Sequence, residues 1–211
     1  MSSNKQRASR VVVAISGGGR TLKNLLLRQP QSDYEIVGVI SSSPSCSGNR
    51  IATENGLPLF VGDFSLRAWA PTAARLADWL DAVKADWIAL AGFLKMFPLN
   101  HRLKDNIINI HPALLPQYGG KGMYGMNVHE AVLAAHEQQS GATIHRVNEK
   151  YDEGAIIAQV TVDITGLATA AEIAHRVFEA ECDIYPQVLH RLVRGELPLE
   201  GKIYRYHFTP I

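Results

Sequence analysis

The sequence predicts an α/β fold: a mostly parallel sheet flanked by helices, with an antiparallel strand pair in its C-terminal part. Three observations carry that expectation. Short, unbroken apolar runs, Val11 to Ile15 first among them, read as strands buried on both faces. They alternate with helical spacings through the first 110 residues, the sign of a parallel sheet covered by helices. Past residue 140, Gly141 to Val147 and Ala155 to Val162 are joined only by Asn148 to Gly154, too short for a crossover helix, so they pair antiparallel.

The elements follow in order. Ser16 to Gly19 form a loop after the first strand, and Thr21 to Arg28 a helix with Leu22, Leu25 and Leu26 on one side. Glu35 to Ile40 is a second strand, Ser41 to Asn49 a loop, Arg50 to Asn55 a short helix stopped by Gly56, and Leu57 to Val61 a third strand. Pro71 to Val83 carries Leu76, Trp79, Leu80 and Val83 at helical spacing. Trp87 to Ala91 and Asn106 to Ile110 complete the parallel strands. Gly141 to Val147 alternates in the manner of an exposed strand. Ala170 to Val193 is a long helix with Pro186 as a candidate interruption, and the chain from Gly195 onward makes irregular or hairpin structure. Right-handed crossovers put the strands' C-terminal ends along one edge, a Rossmann-like arrangement.

Composition narrows the function classes. The 211 residues are 46% hydrophobic and 19% charged, enough for a sizeable core, and a net charge of +1 gives no reason to expect nucleic-acid or membrane partners. Met1 to Arg10 is polar and basic, so it reads as a flexible tail and not a secretory signal. No apolar run approaches the ~20 residues of a membrane helix. A soluble, cytoplasmic protein is expected. Cys46 and Cys182 lie far apart, and two free thiols are the simpler reading.

Ser16-Gly17-Gly18-Gly19-Arg20-Thr21 sits between the first strand and the first helix. Glycines there permit a tight turn and let backbone N–H groups approach an anion at the helix N-terminus. The dinucleotide pattern fails because its third glycine position is Leu22 and the second strand ends without an acidic residue. No Gly-Lys-Ser/Thr follows, which excludes a P-loop. A phosphate on a mononucleotide-sized ligand fits the loop better than NAD or ATP. An empty structural turn fits it equally well when the loop is taken alone.

Asn109 and His111 end the fifth strand two residues apart, so they project to one face, and Pro112 holds His111 extended. An Asn amide donates to a developing oxyanion, and a His moves protons near neutral pH. A carboxylate beside the imidazole raises its pKa, and Asp152, in Tyr151-Asp152-Glu153-Gly154, is the leading candidate. His129, His136 and His145 raise the question of a metal, but no Cys cluster or His-Glu-x-x-His pattern accompanies them, and none is expected. His129 is expected to open a helix. Trp69, Trp79 and Trp87 read as core or subunit-contact residues.

Asn109-Ile110-His111-Pro112-Ala113-Leu114-Leu115-Pro116 resembles the signature of the folate-dependent formyltransferases, which usually have Ser in place of Ala113. The loop at 16–19, Leu90-Ala91-Gly92-Phe93, Asp152 with Gly154, and Glu181 followed by Ile184-Tyr185-Pro186 match in order. Together they resemble the glycinamide ribonucleotide formyltransferases over nearly the whole chain. The resemblance implies the formyltransferase fold and transfer of formyl from 10-formyltetrahydrofolate to the amine of glycinamide ribonucleotide, through a tetrahedral intermediate. It implies no metal and no covalent enzyme intermediate.

Carried over, Asn109 stabilises the oxyanion, His111 manages protons, and Asp152 raises the His111 pKa. The substrate phosphate sits on Gly19, Arg20 and Thr21, with Glu181 at the glycinamide or ribose. Leu94, Lys95, Met96 and Phe97, with Asn148, Glu149, Lys150, Tyr151 and Asn109, hold the folate, and Arg67 is a further folate-side contact. Residues 11–211 then form one domain, with a phosphate-binding half at 11–105 and a catalytic and folate-binding half at 106–211. The partners are small molecules, and the state is monomer or homodimer. Gly19-Arg20-Thr21 departs from the usual Gly-Ser-Asn, and Arg20 adds a charge for phosphate. The run Gly119 to Gly125 is an insertion read as a flap, with Lys121 a second phosphate contact. Hydrolases that send formyl to water share the trio but carry an additional N-terminal domain, and methionyl-tRNA formyltransferases need a C-terminal one. A binding module that has lost activity is the non-enzymatic alternative.

Overall fold

The computed structural model describes residues 7–99, 101–197 and 201–209. Among them β1 (Ser9–Ile15), β2 (Tyr34–Ser41), β3 (Leu59–Val61), β4 (Trp87–Leu90), β5 (Ile107–His111), β6 (Gln139–Arg146), β7 (Ile156–Asp163) and β8 (Tyr204–His207) form one sheet, in the order β3-β2-β1-β4-β5-β6-β7-β8. Strands β1 to β5 pair parallel, β6 is antiparallel to both β5 and β7, and β8 runs parallel to β7.

The helices are α1 (Arg20–Arg28), α2 (Asn49–Glu54), α3 (Trp69–Ala82), α4 (Met126–Ala134) and α5 (Ala170–Val193). Side-chain alternation on β1 shows why its apolar run is unbroken. Val11, Val13 and Ile15 pack with Leu22 and Leu25 of α1, Val132 of α4 and Val177, Ile184 and Leu189 of α5. Val12 and Ala14 face the other way, onto Leu76 and Leu80 of α3 with Phe60, Phe64 and Phe93. Each strand residue therefore loses its apolar surface to one layer or the other.

Several expectations change. Strand β6 is buried, with Ser140 to His145 enclosed, because β5 and β7 flank it and Ala142 and Ile144 join the core beside α5. Alternation in sequence reflected two differently packed faces, not one solvated face. Pro186 does not interrupt α5. It is buried mid-helix, where the loss of one backbone donor is offset by packing with its neighbours Tyr185, Val188 and Leu189. The chain after Gly195 supplies the edge strand β8 in place of a hairpin. Its residues 198–200 and 210–211 lie outside the described residues.

The expected tail begins to be ordered before residue 11. Arg10 donates to the Val83 carbonyl through Nε and Nη2, and its backbone N–H donates to Asp86 at 2.9 Å. Residues 1–6 lie outside the described residues. No helix among the described residues is long and apolar enough to cross a membrane.

The order β2-β1-β4-β5 reverses direction between β1 and β4, because β3 connects through α3 across the opposite face. Ligand sites of open α/β sheets form at such a reversal, beyond the strands' C-terminal ends. The loops after β1, β4 and β5 all meet there.

Candidate active site

A cavity of about 790 Å³ opens at that edge. Its walls are Gly17 to Thr21 after β1, Ala91 to Leu94 after β4, and Asn109 to Pro112 at the end of β5. The flap segment Gly120 to Met126, Asp152 and the α5 residues Val177, Phe178 and Glu181 close it. The cavity thus brings together residues spread over most of the sequence.

The glycine loop is fixed from behind. The Ser16 N–H donates to the Gly92 carbonyl at 3.0 Å, and the Ser16 hydroxyl accepts from the Leu94 N–H at 2.9 Å. Ser16 is therefore committed to holding the β1 and β4 loops together, and the glycines form the open surface. Gly19 caps α1 with φ 71°, a left-handed conformation that suits glycine, and α1 has no side-chain cap. Its first N–H groups point toward the cavity end of the helix.

Arg20 lies with its guanidinium 4.1 Å above the ring of Phe178. This stack holds a cation at the cavity wall without neutralising it. Glu181, one turn further along α5, is buried, and burial pushes its carboxyl up to about 8, with Arg20 pulling only weakly the other way. At neutral pH this side chain is a neutral acid that both donates and accepts. The Asn24 amide donates to the Cys182 carbonyl at 2.8 Å and ties α1 to this part of α5.

Asn109, His111 and Asp152 come together as expected, with a fourth member that the sequence reading passed over. His145 is the cross-strand partner of Asn109 in the β5–β6 ladder. Its Nδ1–H donates to the Arg146 carbonyl at 2.7 Å, which leaves Nε2 as the acceptor for the Asn109 amide at 3.0 Å. The second N–H of Asn109 is left for a ligand. His145 Nε2 also lies 3.5 Å from Asp152 Oδ1, and His111 Nδ1 lies 3.4 Å from Asp152 Oδ2.

Asp152 lies between the two imidazoles, and the Gly120 N–H donates to it at 2.9 Å. Burial alone pushes its carboxyl up, but His145, His111 and the Gly120 N–H outweigh burial and hold it below the usual carboxylate range. His111 donates from Nε2 to the Tyr118 carbonyl at 2.7 Å. This fixes the tautomer and turns Nδ1 toward the carboxylate. The expectation that Asp152 raises the His111 pKa needs correction in its net result. Asp152 and Tyr118 do pull upward, but burial is the larger effect and leaves His111 below its ordinary value. The imidazole starts neutral, as an acceptor at Nδ1.

The backbone behind His111 is held by a buried network. Thr143 donates to the Ala113 carbonyl at 2.6 Å and accepts from the Leu115 N–H at 3.0 Å, and Gln159 donates to the Leu115 carbonyl. These bonds explain polar residues inside β6 and β7 and fix the segment that follows His111.

The residues expected at a folate divide. Leu94 lines the main cavity. Lys95, Met96, Phe97, Asn148, Lys150 and Tyr151 line a smaller neighbouring one of about 50 Å³ that shares Asn109, Tyr151 and Asp152 with it or borders them. Phe97 is mostly consumed by packing against Phe93 and Phe64. Arg67 and Glu149 line neither cavity. Lys121 and the glycines around it form part of the main wall.

Two further expectations change. His129 is the fourth residue of α4 instead of its start, and His136 lies beyond the helix with φ 54°, so the two share no helix face. Among the described residues no group of three or more His, Cys, Asp or Glu side chains is placed to hold a metal ion.

Comparison with known proteins gives the family. Residues 9–189 match the family model described as formyl transferase. The chain is 37% identical over 196 residues to a chloroplastic phosphoribosylglycinamide formyltransferase of Arabidopsis thaliana, covering 89% of this chain and 66% of that protein. It thus spans just under two thirds of that relative's length. It is 31% identical over 201 residues to the phosphoribosylglycinamide formyltransferase of Haemophilus influenzae, covering 92% of each. A solved glycinamide ribonucleotide transformylase from Symbiobacterium toebii superposes with a TM-score of 0.81 at 28% identity, covering 98% of this chain and all of that one.

Proposed function

The chain belongs to the formyl transferase family, and on that footing we propose that it transfers the formyl group of 10-formyltetrahydrofolate to the amine of N1-(5-phospho-D-ribosyl)glycinamide. One observation carries the reading. The Asn109, His111 and Asp152 cluster opens into the same cavity as the glycine loop and the Arg20 guanidinium. Chemistry for acyl transfer and chemistry for a phosphate thus face one space large enough for both substrates. The names carried by the relatives support the same acceptor.

In this reading the phosphate sits on the N–H groups at Gly19, Arg20 and Thr21, with Arg20 supplying charge. The neutral Glu181 carboxyl bonds the ribose or glycinamide. The folate enters past Leu94, Lys95, Met96 and Tyr151, with Asn148, Glu149, Lys150 and Arg67 on its outer side. The amine attacks the formyl carbon, and the carbonyl π electrons move to oxygen. Asn109, aligned by His145, donates its second N–H to that oxyanion. His111 accepts the amine proton at Nδ1, and Asp152 stabilises the imidazolium that results. Collapse of the intermediate breaks the bond to the folate nitrogen, which takes that proton from the His111 imidazolium and leaves as tetrahydrofolate, so that His111 returns to its neutral form.

The test incubates the protein with 10-formyltetrahydrofolate, with and without glycinamide ribonucleotide, and follows tetrahydrofolate release and the N-formyl product by mass. Release that depends on the acceptor, with matching N-formyl product, is expected. Equal release without the acceptor indicates a hydrolase, and no release a binding module. Either result overturns the reading.

A further inference from the structure

His129 has no place in the chemistry above, yet it lines the cavity. The residue is only 5% exposed. Its Nδ1 is enclosed without a hydrogen-bond partner, and Nε2, which has no partner among the described residues either, is the nitrogen left open to the cavity. A buried polar atom without a partner costs stability, and such cases call for an explanation. The tautomer follows from the surroundings. A buried N–H with no acceptor is the harder group to leave orphaned, so the proton resides on Nε2 and the lone pair on Nδ1.

Two further features keep this ring neutral. Burial pushes His129 down to about 4, and His111, which becomes cationic when it takes a proton, acts in the same direction. It also sits in the first turns of α4, whose N-cap Gly125 makes no side-chain cap and whose first turn has no acidic residue. The positive end of that helix disfavours an imidazolium and, like Nε2–H, presents donors to the cavity.

We propose that His129 is a substrate-binding hydrogen-bond donor, offering Nε2–H to an oxygen acceptor of the amine substrate from the flap side of the cavity. This rests on the reading above for the identity of that substrate. A neutral donor there binds oxygen while leaving the amine's proton to His111, because it has no basicity to compete for it.

The test compares His129→Gln, His129→Asn and His129→Leu with the wild type. The Gln amide nitrogen reaches the position of Nε2, and the Asn nitrogen that of Nδ1. For His129→Leu, KM for glycinamide ribonucleotide is expected to rise by roughly tenfold or more, with kcat within a few-fold and KM for the folate unchanged. His129→Gln should recover most of this loss and His129→Asn little of it. If the penalty disappears with the phosphate-free riboside, the acceptor oxygen is on the phosphate. If it persists, the oxygen belongs to the glycinamide or ribose. Thermal unfolding supplies the arm that does not depend on the substrate. A nitrogen kept for function predicts that His129→Leu melts at or above the wild-type temperature, because the orphaned group is gone. Unchanged KM in His129→Leu, equal rescue by Gln and Asn, or a Leu variant that melts well below wild type overturns the proposal. Wild-type protein that fails to formylate overturns the earlier reading instead, and the melting comparison still decides this one.

Discussion

Two buried carboxyls face the same cavity, and their surroundings hold them in opposite charge states. Asp152 has the Gly120 N–H and the imidazoles of His111 and His145 around it and is held below the usual carboxylate range, whereas Glu181 has only the Arg20 guanidinium against its burial and stays protonated to about pH 8. The difference has a consequence for stability. In the unfolded chain Glu181 ionises near its ordinary 4.5, and in the fold only near 8, so the unfolded state gains as pH rises through that window. Wild-type stability should therefore decline relative to Glu181→Gln between pH 5 and pH 8, by about 3 kcal/mol. Urea unfolding of both proteins at the two pH values measures this, and parallel pH profiles would contradict a neutral Glu181. At this scale the sequence exposed Asn109 and His111, because polar side chains at the end of an apolar strand stand out, and it offered Asp152 as their carboxylate. It did not expose His145 or Phe178. One required the β5–β6 register that sets it opposite Asn109, and the other required the approach of α5 to the β1 loop.

At the scale of elements, Asp152 depends on how tightly its loop returns to the sheet. The β6–β7 pairing shifts register between Ile144 and His145, where Ile157 is an extra residue on β7, so the ladder is irregular beside the site. Asp152 itself has φ 57°, and two residues later Gly154 presses against the neighbouring strand. A Cβ at Gly154 would lie 1.8 Å from the Arg146 carbonyl oxygen, a backbone atom that no side-chain rotation can move aside. Gly154→Ala is expected to cost about 2 kcal/mol or more and to reduce turnover by moving Asp152 away from His111. Thermal unfolding and the formyl-transfer assay check both effects, and a variant with wild-type stability would show the contact to be slack. Element types were legible from periodicity because the strands are short and enclosed. The burial of β6, the continuity of α5 through Pro186 and the strand β8 were not. Each is decided by partners far away in sequence, and none leaves a local pattern of its own.

At the scale of the whole molecule, the site exists because the sheet reverses its order between β1 and β4 and turns antiparallel after β5. The reversal opens the cleft that the glycine loop shares with Asn109 and His111. The antiparallel return brings His145 and the Asp152 loop back against Asn109 and His111. Formyl transfer at this cluster depends on the Asp152 carboxylate, and Asp152→Asn tests that dependence. The substitution keeps the size of the side chain and an oxygen for the Gly120 N–H, and removes only the charge. Under single-turnover conditions with both substrates saturating, the transfer rate is expected to fall by roughly 10²- to 10⁴-fold. Affinity for glycinamide ribonucleotide and 10-formyltetrahydrofolate should stay within a few-fold of wild type. Transfer at the wild-type rate in Asp152→Asn would contradict the account.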